Sequence, residues 1–240
     1  LIIYQNIIFT MVMYYNRDLF DLGGVVQAPR TWEQFQAVVK ALTRVNEENE
    51  LLQSAAAFGL ADNVERYFDI LSLLMIQNGT VMVDSNGKSA IDSIPAELPV
   101  DVPPALQALR FYTDFSSPIK DVYTWDEEFD GSLQAFLEGK TAIFFGYSYH
   151  LPIIKAQGAD LNYGVAAMPQ ITDDPKNKGV NYANYWVETV SNKTEYTDEA
   201  WDFVQFIAQA EQSEKYLNVS KKPTAHKELV SKQLDDLDLG

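Results

Sequence analysis

Along the 240-residue chain, short apolar runs alternate with stretches whose apolar positions recur every three to four residues. Residues 7–15, IIFTMVMYY, are β-branched and aromatic with polar flanks, the pattern of a strand covered on both faces. Gly23, Gly24 and Pro29 then break the chain, and Thr31 with Gln34 three residues on has the spacing of a capping box. The helix it opens carries Phe35, Val38, Val39 and Leu42 on one stripe, until NEENE at residues 46–50 dissolves the pattern. SAAAFGL, residues 54–60, predicts a short buried strand. Residues 66–77 predict a second helix stopped by Asn78-Gly79, and residues 80–91 a hairpin turning at Asn86-Gly87.

Pro103 and Pro104, behind Asp101, open a third helix with Leu106, Leu109, Tyr112 and Thr113 inward. After a loop over residues 116–131, Asp130 is placed to cap a helix at SLQAFLEG. The strand TAIFF follows, and Gly146 then allows a tight turn that presents Tyr147 and Tyr149, with Phe144 and Phe145 left in the core. LNYGVAAMPQI and NYWVETV read as further strands, and residues 197–217 as one long helix capped by Thr197, with Ala200, Trp201, Val204, Ile207 and Ala208 as its apolar stripe. The tail LDDLDLG is acidic and reads as frayed. Strands alternating with helices throughout predict an α/β layer architecture.

Charge narrows the partners. Eighteen Lys and Arg against 34 Asp and Glu give a net charge of −16, a field that repels phosphate backbones and anionic lipid and leaves neutral or cationic small molecules open. The absence of cysteine excludes disulfides, thiolate metal sites and cysteine nucleophiles. The opening LIIYQNIIFTMVMYY is apolar, but Gln5, Asn6 and Thr10 interrupt it, so it reads as neither a membrane span nor a signal peptide. The chain does not begin with Met and reads as a fragment or processed piece of something longer.

Most catalytic signatures are missing. His150 and His226 lie far apart without metal-ligand spacing, and His150 after three aromatics reads as a packing or surface residue. Ser148 in FGYSYHL lacks the second glycine of a nucleophile elbow, and no phosphate-binding glycine loop occurs. Glu127 and Glu128 in WDEEFDG could supply glycosidase carboxylates, but adjacent residues do not face each other across a sugar bond, and a solvated loop is the simpler reading. DSNGK starts like a calcium loop and lacks its closing Glu. Asn78, Asn192 and Asn218 each begin an Asn-x-Ser/Thr triplet, which matters only in a eukaryotic secretory pathway. What remains is aromatic. Tyr14, Tyr15, Tyr67, Trp125, Tyr147, Tyr149, Tyr182, Tyr185 and Trp186 fall at strand ends and loops, where flat amphipathic rings beside carboxylates and amides suit sugars; core-edge packing is the competing reading for each.

The order of several segments carries more. MVMYYNRDLFDLGGVVQAPRTWEQFQAVVKALT, ALQALRFYTDF, AFLEGKTAIFFGYSYHLP, LNYGVAAMP and EAWDFVQFIAQAEQSEKYL together, over residues 11–223, resemble the extracellular solute-binding proteins of bacterial ABC transporters, the sugar-binding family that includes maltose-binding protein. The resemblance implies a type II periplasmic-binding-protein-like α/β fold, mostly the second lobe plus part of the first, joined by hinge strands. It assigns residues 1–16 to a first-lobe or hinge strand, 17–182 to the second lobe, and 183–240 to the return through the hinge and the C-terminal helical part of the first lobe. It further implies a monomer without cofactor, metal or catalysis. By the same resemblance such a chain captures a solute outside the cytoplasm, in the periplasm or at a cell surface to which a lipid anchor preceding Leu1 would hold it, and delivers the solute to a membrane permease. Relative to the family, most of the first lobe ahead of the first crossing and the usual C-terminal portion are missing.

By that resemblance, Tyr149, with Tyr147 beside it, stands where the family has a sugar-stacking tryptophan after glycine. Glu65, Arg66 and Tyr67 follow SAAAFGL where maltose-binding protein has a Glu-Pro-Tyr contact, with Arg66 in place of the proline. Asn184, Tyr185 and Trp186 in NYANYWVE, and Trp125 in the loop before residue 132, complete the expected ligand-binding set. A carbohydrate, most simply an oligosaccharide, is the expected solute. A cationic solute such as a polyamine, a glycoside hydrolase and a permease-docking module are the rival readings.

Overall fold

The computed structural model describes residues 8–96, 98–220 and 224–236. The chain divides into two units: one holds Met11–Gly146 and Pro152–Tyr182, the other the chain up to Thr10, Tyr147–Leu151, and the chain from Ala183 onward.

The larger unit begins in β1 (Ile8–Asn16), whose Met11, Met13 and Tyr14 are buried. Asn16 ends the strand and caps α1 (Arg17–Leu22), its side chain accepting the Leu19 amide at 3.1 Å. Thr31 caps α2 (Trp32–Leu42) by accepting the Gln34 amide at 3.2 Å, and the predicted stripe of Phe35, Val38, Val39 and Leu42 is buried. The return arm of the capping box lands one residue early, because Oε1 of the Gln34 side chain accepts the Arg30 amide rather than that of Thr31.

Where the helical pattern dissolves, a turn joins β2 (Arg44–Val45) to β3 (Leu51–Ala56), so the strand starts three residues before the predicted one. α3 (Tyr67–Gln77) ends at Asn78 as expected. The turn at Asn86-Gly87 forms, with the Asp84 amide donating to Lys88, although only an isolated bridge between Val83 and Ser89 flanks it.

In α4 (Pro104–Asp114) the inward face is rotated from the predicted one: Ala105, Ala108 and Tyr112 are buried, while Leu106 and Leu109 are exposed. The small alanines let α4 pack closely along α3, the helix it meets most extensively. Asp130 does not cap α5 (Ser132–Leu137). The cap is Gly131 without a side-chain bond, and the Asp130 carboxylate instead pairs with Lys140 at 3.3 Å.

Every residue of β4 (Thr141–Tyr147) is buried, and the strand runs straight through Gly146. The predicted turn glycine is therefore a strand residue, and the chain turns later, through a 3-10 turn at Ser148–His150 into α6 (Leu151–Gln157). β5 (Tyr163–Ala167) pairs antiparallel with β1, the Tyr15 ring lying over Gly164 opposite it. The strand order is β2-β3-β4-β1-β5, with β3 and β4 parallel. Phe58, two residues past β3, sits at the centre of the core, with Phe35, Tyr112, Phe115 and Phe145 at ring-centroid distances of 5.4, 4.7, 4.9 and 5.6 Å.

In the smaller unit β6 (Ala183–Tyr185) pairs antiparallel with the start of β1, Phe9 opposite Asn184. The predicted strand to residue 190 stops at Tyr185. The predicted single helix is two, α7 (Thr197–Ile207) and α8 (Ala210–Ser220). Thr197 is the first helical residue, not the cap; Tyr196 stands there without a side-chain bond. The break falls where Ser213 turns its hydroxyl back onto the Ile207 carbonyl at 3.3 Å, an alternative to continuing the helix. Only Val204 of the predicted stripe is buried. α9 (Lys227–Asp236) takes in the start of the acidic tail, whose last four residues lie outside those described, as does the opening segment through residue 7. Among the described residues no helix is long and apolar enough to cross a membrane.

Candidate functional site

The expected ligand-binding residues fall into two clusters, one in each unit. In the larger unit, β3 delivers the chain through Phe58 into a loop, residues 59–66, before α3. Gly59 has φ +110°, and a Cβ there would lie 2.8 Å from the Ser116 nitrogen, so glycine permits the close approach of this loop to the end of α4. The Ser116 hydroxyl donates to the Gly59 carbonyl at 3.1 Å, and the Tyr112 hydroxyl to the Leu60 carbonyl at 2.7 Å. Burial holds the Tyr112 phenol well above the ordinary tyrosine range, so it stays a donor.

Farther along, Asn63 is tied on every side. Its Oδ1 accepts from Trp125 Nε1 at 2.8 Å, and its Nδ2 donates to the carbonyls of Asp126 and Phe129 at 2.8 and 3.0 Å. Its own carbonyl accepts the Ser132 amide, and the Ser132 hydroxyl accepts the Glu65 amide at 2.8 Å. Arg66 then adopts the left-handed conformation, φ 60°, immediately before the first turn of α3. Glu65, Arg66 and Tyr67 emerge exposed, and with Phe68 and Asp69 they line a surface recess of about 410 Å³. Two aromatic rings, two carboxylates and a guanidinium thus line one concave patch. Asp69 is buried behind it and hydrogen-bonds the Tyr182 hydroxyl; desolvation first, and that carboxylate second, raise the Tyr182 pKa.

Trp125 is fully buried, stacked on Phe129 at 4.6 Å between centroids, so the ring expected to touch a ligand is packed inside the protein. Its burial follows from the indole N–H having found a partner in Asn63. Glu127 and Glu128 are exposed on the same loop. No group of acidic or histidine side chains among the described residues could hold a metal ion.

In the smaller unit, Tyr147 is also fully buried. Tyr149 is half-buried, stacked on Tyr147 at 5.6 Å and edge-on to Phe9 at 5.3 Å. The packing of these rings against β1 explains why Tyr147 is covered: it continues the β4 alternation rather than leaving the strand. His150 is buried beneath them, its Nδ1 accepting the Tyr147 amide at 2.9 Å, which gives it a structural role in the turn. Asn184, Tyr185 and Trp186 are exposed on and after β6, Trp186 at 75%. Sequence reasoning missed Asn63 and Ser132; nothing in local periodicity marks a loop asparagine whose partners lie more than sixty positions away.

Two further recesses lie in the larger unit. One of about 460 Å³ is bordered by Arg30, Gln170, Asp173, Asp174 and Asn181, and one of about 270 Å³ by Trp32, Leu74, Phe111 and Ile171.

A family model described as bacterial extracellular solute-binding protein matches residues 3–214. A protein of Brucella abortus (strain 2308), named as a binding protein, is 26% identical over 223 residues, 88% of this chain and 48% of that protein. The chain therefore spans about half the length of the curated relatives it matches. Among solved structures, an ABC transporter solute-binding protein from Thermotoga lettingae TMO, bound with α-D-tagatose, superposes with a TM-score of 0.64 at 17% identity, over 99% of this chain and 56% of that one. MalX from Streptococcus pneumoniae, in complex with maltopentaose, gives 0.59 at 21% identity, over 98% and 58%. At these identities the two structures are like this one in fold.

Proposed function

The chain belongs to the bacterial extracellular solute-binding protein family, and from that premise we propose that it is part of a carbohydrate-binding protein that captures its sugar outside the cytoplasm for an ABC permease. It binds and releases its solute without chemical conversion. The observation that carries the ligand class is the recess at the start of α3, where Tyr67 offers a half-exposed ring and Glu65 a carboxylate within one small patch. A pyranose has C–H faces that stack on such a ring and hydroxyls that donate to such a carboxylate. Tyr149, Asn184, Tyr185 and Trp186 form the second set of proposed contacts, in the smaller unit. Sugars in the similar structures of Thermotoga lettingae and Streptococcus pneumoniae agree with this reading.

The larger unit, Met11–Gly146 with Pro152–Tyr182, supplies on this reading most of the second lobe, expected over residues 17–182. Residues 1–16 and 183–240 contribute to hinge and first lobe. Stacking and a handful of hydrogen bonds are adequate for micromolar affinity, about 8 kcal/mol. Calorimetric titration of the full chain with maltopentaose, tagatose and a panel of other mono- and oligosaccharides tests it. Heat of binding from at least one sugar, weakened in Tyr67→Ala, is the expected result. Silence toward every sugar with a clear response to a polyamine or peptide would overturn the ligand class, and turnover of a chromogenic glycoside would overturn the absence of catalysis.

A further inference from the structure

Between β3 and α3 the loop 59–66 makes few bonds within itself; it is pinned instead by α4 and by the segment 124–132. Asn63 is the convergence point. Its oxygen faces the one indole donor and its nitrogen faces two carbonyls, so all three of its side-chain bonds are made in a single amide orientation and neither N–H is left over. The indole that fixes that orientation is itself wholly buried and held flat on Phe129. Two residues after Asn63, the Glu65 amide is fixed by the Ser132 hydroxyl, and one residue later Arg66 stands at φ 60°, a conformation that a non-glycine residue keeps only when its surroundings impose it. The three residues that follow from this chain of constraints, Glu65, Arg66 and Tyr67, are three of the five that line the recess, with Phe68 and Asp69.

We infer that Trp125 and Asn63 are positioning residues for the sugar recess: Trp125 never touches ligand, but through Asn63 and the Ser132 bond it holds Glu65, Arg66 and Tyr67 in the geometry that binds. This rests on the carbohydrate reading of that recess. It also gives Trp125 a place in recognition that differs from direct stacking, since the ring works through its N–H and not through an exposed face.

The test compares Trp125→Phe and Asn63→Asp with Tyr67→Ala in the full chain. Trp125→Phe keeps a ring to lie on Phe129 and deletes the donor together with part of the buried ring volume, whose general cost the β4 exchange reads separately. Asn63→Asp keeps the shape and the Trp125 bond, and turns two donors toward carbonyls into an acceptor. Two readouts are taken well below each variant's melting temperature: amide hydrogen exchange of residues 63–67, and calorimetric affinity for whichever of maltopentaose, tagatose and the panel sugars the wild type binds.

Both positioning variants are expected to speed exchange at residues 63–67 at least tenfold while β4 is unchanged, and to weaken sugar binding about tenfold. In the double variant Trp125→Phe with Tyr67→Ala, affinity falls by less than the product of the two single effects, because part of the Trp125 effect runs through Tyr67, a non-additivity that general destabilisation does not produce. Unchanged exchange at residues 63–67 overturns the positioning role. Faster exchange with unchanged affinity, in a protein whose Tyr67→Ala variant binds weakly, overturns it equally and leaves the sugar site standing. A wild type that binds no sugar removes the carbohydrate reading itself, and the ligand role of these residues with it.

Discussion

Gly59 and Gly24 both have positive φ, +110° and +71°, yet their surroundings are opposite. A Cβ at Gly24 would meet nothing within 4 Å, whereas one at Gly59 would lie 2.8 Å from the Ser116 nitrogen, 3.0 Å from its Cβ and 3.1 Å from the Tyr112 carbonyl oxygen. Two of these three atoms are backbone and cannot swing aside. Gly24→Ala therefore costs only the left-handed conformation, about 1–2 kcal/mol. Gly59→Ala carries a conformational strain of about 1–3 kcal/mol and must also displace the end of α4, an overpacking of about 1–3 kcal/mol. The two variants should differ by at least about 1 kcal/mol in urea unfolding followed by circular dichroism, with unchanged m-values. Because the displaced loop leads to residues 65–67, Gly59→Ala should also weaken sugar binding, and Gly24→Ala should not. Equal unfolding midpoints would refute the claim that close approach, rather than backbone sign alone, fixes glycine at position 59.

Phe58→Ala removes the ring at the centre of the core and should destabilise by about 3–5 kcal/mol, measured by the same unfolding experiment. Thr31→Ala leaves the Gln34 amide without its cap and should cost about 1 kcal/mol, recovered in Thr31→Ser. The Tyr112 phenol has a raised pKa in the folded protein, so its contribution is fully present below the unfolded value of about 10 and is lost as pH rises from there toward the folded value. Tyr112→Phe should accordingly flatten the alkaline fall in stability above pH 10, while costing about 1 kcal/mol at neutral pH for the bond to Leu60.

The elements legible in the sequence are those whose signals are local. The Thr31 cap and the stripe from Phe35 to Leu42 were readable because a 3.6-residue period and a side-chain cap span only a few positions. Asn78 stopping α3 and the turn at Asn86-Gly87 have the same character. Where the reading failed, a distant partner decided. Leu106 and Leu109 look like the inward face of α4 by size, but the close approach of α3 selects Ala105 and Ala108. Asp130 looks like a cap by position, yet Lys140 takes its carboxylate. Gly146 looks like a turn, and the burial of all of β4 carries the strand past it.

The same division runs through the candidate site. An aromatic residue in a loop after a strand is a fair guess for a ligand platform, but sequence gives no sign of which rings the rest of the chain has already claimed. Trp125 and Tyr147 have been claimed, one by Asn63 and Phe129, the other by the continuation of β4. Tyr67 has not, because it is the first residue of a helix whose preceding residue turns left-handed, and the turn directs the ring outward. Tyr149 lies between these cases: its stacking on Tyr147 and Phe9 means that Tyr149→Ala should lower the melting temperature along with sugar affinity. A melting temperature unchanged from wild type would refute the claim that those ring contacts contribute to stability.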